Sequence, residues 1–404
     1  MDEGLRQAVA VLAVAMIVAI AARQIRLPYT VGLVIVGAAV ALSGADFAPH
    51  LTHDLIFDLV LPPLLFEAAL TLSWRELVRD SLPLLALAGI GTVVSAAVVT
   101  ASMTTLLGWP LFSAMLFGAL IAATDPVAII AMFKDNRIKG RMRLLVESES
   151  LLNDGAAAVL FVMALAFVQS GGADQSAAAT ALTLVKVVFG GVVVGALFGG
   201  AAILASLRTS EHLIEAALTT IAAFGSFLVA EYFHVSGVLA TVTAGLVMGN
   251  LGLLSEQEGG YITLKGREFV LSFWDFAAFL ANSMVFLMIG ADVASTPFGA
   301  VGATALAVGI ATVLFARAVV VYPLSSLFFI SRWKISFREQ HVLWWGGLRG
   351  ALALALALSL PGDLPQRDEI LAITFAVVGF SIVVQGLTMP LLLRALGFVA
   401  GGRP

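Results

Sequence analysis

Residues 121–158 read IAATDPVAIIAMFKDNRIKGRMRLLVESESLLNDGAAA. Two apolar segments here each carry carboxylates, Asp125 in the first and Glu147, Glu149 and Asp154 in the second, and a short basic loop from Lys134 to Arg143 joins them. In a hydrocarbon interior each such charge costs at least about 2.5–3.5 kcal/mol, so a carboxylate there marks function unless a partner neutralises it. Whether the segments lie in hydrocarbon decides the fold, and the rest of the chain answers that.

Of 404 residues, 60% are hydrophobic and only 12% charged, with a mean hydropathy of +1.02. A soluble domain carries about 25% charged residues. There is no cysteine, which excludes disulfides, thiol catalysis and thiolate-ligated metals. Nothing basic enough for nucleic acid is present. Asp2 and Glu3 precede the first apolar run while Arg23 and Arg26 follow it, the reverse of a signal peptide's basic start, so residues 5–22 are expected to be a retained span.

Apolar segments of spanning length, roughly 17–25 residues, fall near 5–22, 29–45, 54–72, 82–106, 110–133, 149–169, 179–206, 211–231, 236–254, 268–291, 297–330, 340–360 and 369–394. With the N-terminus outside, thirteen spans put 17 of the 22 basic residues on the inner side, including the five of the Lys134–Arg143 loop. Arg6 and Arg367 lie outside, and Lys186, Arg317 and Arg349 within spans. This positive-inside bias predicts an all-α polytopic membrane protein of thirteen transmembrane helices, N-out and C-in. The loop near residues 254–268 is too short to fold alone, and no soluble cytoplasmic domain is expected. An odd linking helix at 179–206 would make residues 1–178 and 207–396 two inverted six-helix repeats of a single transporter unit. Thr124-Asp125-Pro126 in the fifth segment and Trp345-Gly346-Gly347-Leu348-Arg349-Gly350 in the twelfth are helix breakers at corresponding places.

Pro126 has no N–H and its ring opposes the carbonyl four residues back, which frees carbonyls near residues 122–123 as ligands. On the sixth segment Glu149 and Asn153, and Ser150 and Asp154, are spaced i,i+4 and stack on one side of a helix. With Thr124 and Asp125 they form an all-oxygen set suited to a hard cation. A membrane carboxylate is neutralised by a proton or by a cation, and one group serving both in competition is the chemistry of an antiporter. Asp154 is the expected alternating carboxylate, with Asp125 beside it. Even one alone reads as a site rather than as a salt bridge or helix cap; the two together, beside a proline break with no basic partner in their own spans, favour it more strongly. Asp125 lies about nine residues before the basic loop and Asp154 about eleven after it, so both sit near 13–16 Å of helical rise from one face, close to mid-membrane.

Glu147, near Arg141 and Arg143, reads as a solvated entrance charge. Arg349 needs a partner, and Glu67, in the apolar third segment, is the expected structural ion pair. Arg317, mid-span in the eleventh, is a further candidate at the cluster, and Lys186 reaches for the interface. Asp275, Asn282 and Ser283 mark a polar stripe; Glu215, Glu231 and His234 read as surface or helix-end groups. Rival readings are a cation channel or uniporter, which would move charge without obligatory proton flux, and an intramembrane aspartyl protease, which wants Gly before its Asp where here Gly155 follows.

The motifs Ala-Thr-Asp-Pro-Val-Ala at 123–128, Glu-Ser-Leu-Leu-Asn-Asp-Gly at 149–155 and Gly-Gly-Leu-Arg-Gly-Ala at 346–351 resemble the monovalent cation/proton antiporters of the NhaP and NHE type. Leu-Pro-Tyr-Thr-Val-Gly at 27–32, Pro62-Pro63 with Phe66-Glu67, and Ser-Gly-Val-Leu-Ala at 236–240 are similar to the same family, so the resemblance runs nearly end to end. It implies a thirteen-helix inverted-repeat fold, a homodimer in a bacterial cell membrane, no enzymatic activity and no cofactor, and exchange of sodium, or of potassium or lithium, for protons. It implies that Thr124, Asp125, Glu149, Ser150 and Asp154 coordinate the cation, that Asn153 orients Asp125 or the unwound backbone, and that Glu67 pairs with Arg349. The Asn153-Asp154 pair implies electroneutral exchange. Many relatives carry a long cytoplasmic regulatory tail that is not seen here.

Overall fold

The computed structural model describes residues 2–24, 27–43, 51–135, 138, 140–170, 177–253 and 263–399. Arg26, Arg137, Lys139 and Arg403, all used in the charge count, lie outside the described residues, as do residues 254–262 and the side chains of Arg6 and Arg23. Among the described residues there are helices and no strands.

Each apolar segment is helical. The first two are α1 (Asp2–Gln24) and α2 (Tyr29–Leu42). A π-turn (Leu55–Val60) runs into α3 (Leu61–Thr71), and a short α4 (Trp74–Arg79) follows. Then come α5 (Ser81–Leu85), a second π-turn and α6 (Gly91–Leu106), one continuous span. The fifth segment is two half-helices, α7 (Leu111–Leu120) and α8 (Val127–Asp135). Unbroken helices follow: α9 (Arg141–Gln169), α10 (Ala177–Ser206), α11 (His212–Tyr232), α12 (Gly237–Val247) with a π-helical end, and α13 (Leu264–Ser295). The eleventh segment is a single turn, α14 (Phe298–Val301), then Gly302 at φ 85° and α15 (Ala303–Ser326). The twelfth is again broken, into α16 (Phe337–Trp345) and α17 (Ala351–Leu358). The last is α18 (Arg367–Phe380), a π-turn and α19 (Gly386–Ala395). Seven of the described helices are long and apolar enough to cross a membrane: those of residues 81–106, 141–169, 178–206, 212–232, 265–295, 303–326 and 367–395.

The chain packs as two compact units that interleave in sequence. One takes Met1–His53, Leu82–Asn153 and Asn282–Pro404; the other takes Asp54–Ser81 and Asp154–Ala281. In the first, α15 packs on α6, α16 and α18, and α6 on α7. There α2 and α13 touch through glycine: a Cβ on Gly37 would strike the Leu287 carbonyl, and one on Gly290 the Val34 carbonyl. Small residues let membrane helices approach backbone to backbone, where van der Waals packing replaces the hydrophobic effect.

The second unit is built on α10, α11, α12 and α3. Gly191, Gly195 and Gly199 form a groove on α10 that receives the carbonyls of Ser236, Ala240 and Ala244. Its core is Phe66, Leu70, Ala222, Ala244, Met248 and Trp274; the Phe66 and Trp274 rings pack tilted, centroids 4.6 Å apart, and the Trp274 indole donates to Thr219 Oγ1 at 2.8 Å. The two outlying glutamates of this unit serve helix starts. Glu231 Oε1 accepts the Gly237 N–H at the head of α12, and buried Glu215 accepts the Thr263 N–H and hydroxyl at the head of α13.

Candidate functional site

The broken helices of the first unit meet at their breaks. Pro126 ends any continuation of α7, and the residue before a proline is pushed out of the helical region. Residues 123–126 are therefore non-helical, and Asp125 Oδ1 accepts the Val127 N–H at 2.9 Å, capping α8. Opposite, α16 stops at Gly346, and residues 347–350 leave the helix through a tight turn, the Leu348 N–H donating to the Gly346 carbonyl at 2.8 Å, before α17 begins.

Backbone joins the two breaks. Asp125 N–H donates to the Leu348 carbonyl at 2.8 Å, and Arg349 Nη1 donates to the carbonyls of Ala122 at 2.8 Å and Ala123 at 2.6 Å. The crossing is electrostatically matched. The terminal carbonyls of α7 carry partial negative charge and receive the guanidinium, while the starts of α8 and α17 carry partial positive charge and flank the Asp125 carboxylate. Glycine is obligatory at the contact, because a Cβ on Gly350 would occupy the place of the Asp125 carboxylate. The carbonyls that the sequence offers as ligands near residues 122–123 are thus taken by Arg349.

A second layer lies on α9. Ser150 Oγ donates to the Thr124 carbonyl, and the Thr124 hydroxyl stands 3.4 Å from Ser150 Oγ. Glu149 receives Arg317 from α15 bidentately, Nη1 and Nη2 each at 2.8 Å from one carboxylate oxygen. Arg317 also donates to the Leu343 carbonyl, and Gly347 leaves it room, since a Cβ there would lie 2.6 Å from its Nε. Asn153 Nδ2 faces Glu149 Oε1 at 3.4 Å, while its Oδ1 is buried with no hydrogen-bond partner among the described residues. A cavity with room for one water-sized body is lined by Thr124, Pro126, Glu149, Ser150, Arg317 and Gly346.

Of the residues singled out by sequence, the first unit brings together Thr124, Asp125, Glu149, Ser150, Asn153, Arg317 and Arg349. Asp154 is half-buried on the next turn of α9 from Ser150 and is the first residue of the second unit; Glu67, half-buried on α3, also belongs to that unit. Glu147 is buried and paired with Arg143 at 3.3 Å, whereas Arg141 turns to the carbonyls of Trp333 and Lys334. Lys186 and Asp275 are exposed, and Asn282 and Ser283 are buried. Sequence reasoning left open the partner of Arg317. The signal was there: a mid-span guanidinium must be neutralised, and Glu149 is the carboxylate one helical turn from Asn153.

Comparison with known proteins agrees with this architecture. The chain is 38% identical over 375 residues to the Na(+)/H(+) antiporter ApNhaP of Aphanothece halophytica, covering 93% of this chain and 70% of that one. It is 34% identical over 410 residues to the Na(+)/H(+) antiporter NhaH of Halobacillus aidingensis, covering 97% of each. In fold it is similar to the sodium proton antiporter MjNhaP1 of Methanocaldococcus jannaschii at pH 8, with a TM-score of 0.76 at 20% identity over 96% of this chain and 98% of that one. Residues 10–395 match the family model described as "Sodium/hydrogen exchanger, transmembrane", and the chain belongs to that family.

Proposed function

We propose that the chain is a secondary-active antiporter exchanging a monovalent cation, sodium first, for a proton across a bacterial cell membrane. The observation that carries the proposal is Asp125 held at the meeting of two broken helices, beside a water-sized cavity that Thr124 and Ser150 line with oxygen. Broken helices meeting inside a membrane protein are where transporters place their substrate, because half-helix ends supply charge complementarity without whole ions. In this reading Asp125, Asp154, Thr124 and Ser150 ligate the cation, and Glu149 contributes at the periphery, its charge compensated by Arg317. Asn153 orients the ligands, and Glu67 pairs with Arg349. Cation and proton compete for Asp154 and Asp125, and alternating access presents the pair to each side in turn. With Asp154 the carboxylate whose proton alternates and Asp125 keeping its charge beside it, one cation exchanges for one proton and the cycle is electroneutral.

The same reading takes thirteen spans, N-out and C-in, as two inverted repeats about the 179–206 helix, assembled as a homodimer. The breaks at corresponding places in the fifth and twelfth segments support the two repeats. The test is Asp154→Asn in everted vesicles holding a proton gradient. Wild type releases a quenched pH dye when sodium is added, and the variant, expressed to the same level, does not. A variant that still releases the dye would remove Asp154 from the mechanism.

A further inference from the structure

The turn after α15 and the first two residues of α16, Leu327–Arg338, read LFFISRWKISFR, with three cations and no acid. The turn follows a helix long enough to cross the membrane, so it stands at a membrane surface. Its apolar tips are bare: Ile330 is 99% exposed, Leu327 75% and Phe329 57%. The turn is nonetheless fixed. Phe328 and Ile335 are buried, and Ser331 Oγ accepts the Trp333 N–H at 3.1 Å. Arg141 clamps it from α9, donating to the carbonyls of Lys334 at 2.7 Å and Trp333 at 3.0 Å. A capping box between Ser336 and Glu339 holds the start of α16. At a membrane surface, apolar side chains left this bare face the lipid.

The cations identify the partner. Arg332 lies over the Trp333 ring and Lys334 over the Phe329 ring, each 4.4 Å from the centroid. Both are exposed, and neither has an ion-pair partner among the described residues. Apolar tips with ammonium and guanidinium groups set beside them on aromatic faces match the layering of a lipid interface, acyl chains below and phosphate above. We propose that Leu327–Arg338 binds the headgroup of an anionic phospholipid, with Leu327, Phe329 and Ile330 among the acyl chains and Arg332 and Lys334 on the phosphate.

The experiment titrates the full chain, purified in neutral detergent, with phosphatidylglycerol and reads the lipid concentration that half-completes the rise in melting temperature. A surface Lys or Arg near anionic lipid contributes about five-fold in affinity, so R332Q/K334Q shifts the midpoint by about thirty-fold, while R332K/K334R keeps it. Phosphatidylcholine gives no rise that depends on these residues. An unchanged midpoint in R332Q/K334Q overturns the proposal, as does an equal rise with soluble glycerol phosphate. Should the double variant not fold, wild type in nanodiscs answers instead. The fluorescence assigned to Trp333, by difference from W333F, is quenched more by brominated phosphatidylglycerol than by brominated phosphatidylcholine, and equal quenching refutes the assignment.

Discussion

Replacing Arg317 by Gln leaves the Glu149 carboxylate, 2% exposed, without its cation. Two charges about 4 Å apart attract by about 4 kcal/mol at the effective dielectric of a protein site. Removing one member of a buried pair costs about 3–5 kcal/mol, because the other charge stays desolvated. The two estimates agree. Arg317 also donates to Leu343, so its loss further leaves a carbonyl of α16 without that donor. For a chain of this length the melting temperature is expected to fall by roughly 4–6 °C. A double-mutant cycle separates charge from shape. Glu149→Gln is the second single variant, and the Gln–Gln double restores neutrality and part of the lost stability. The coupling is expected to be at least about 2 kcal/mol. Differential scanning fluorimetry on the purified variants reads it. If Arg317→Gln costs less than about 1 kcal/mol, or the two single losses simply add in the double, the pair does not carry the site's stability.

Three other substitutions probe the scaffold. Gly350→Ala drives a methyl into the Asp125 carboxylate and is expected to abolish sodium-dependent dye release, while α10–α12 packing, read by protease resistance of that unit, is retained. Gly195→Ala meets the Ala240 carbonyl and is expected to cost about 1–3 kcal/mol by overpacking, seen as a lower melting temperature with exchange preserved at low temperature. Ser336→Ala removes the capping box of α16 and is expected to cost about 0.5–2 kcal/mol; a melting temperature equal to wild type would show that the cap is dispensable.

Much of this was legible in the sequence because a membrane makes every charge costly. Apolar length marked the seven long apolar helices, and Pro126 and the glycines around Leu348 marked the two breaks. Isolation in an apolar run singled out Asp125, Arg317 and Arg349. What stayed hidden was carried by backbone. No residue type announces that the Asp125 N–H will find the Leu348 carbonyl, or that Arg349 will take the carbonyls of Ala122 and Ala123. Any residue has a carbonyl, so such contacts leave no mark on the string. Arg317 was ambiguous for another reason: several carboxylates could have satisfied it, and only packing chooses Glu149. Gly350 reads as a helix breaker, whereas its sharper role is the space it yields to a carboxylate 225 positions earlier.

Competition between cation and proton for one pair of carboxylates is the central claim, and the apparent KM for sodium as a function of pH tests it most directly. The chain is reconstituted in proteoliposomes, and initial sodium-driven proton efflux is followed between about pH 6 and pH 9. Competition predicts that KM rises as pH falls, approaching about ten-fold per pH unit on the acidic side, with the maximal rate unchanged. A KM independent of pH, with proton efflux still dependent on sodium, would mean that the two ions occupy separate groups.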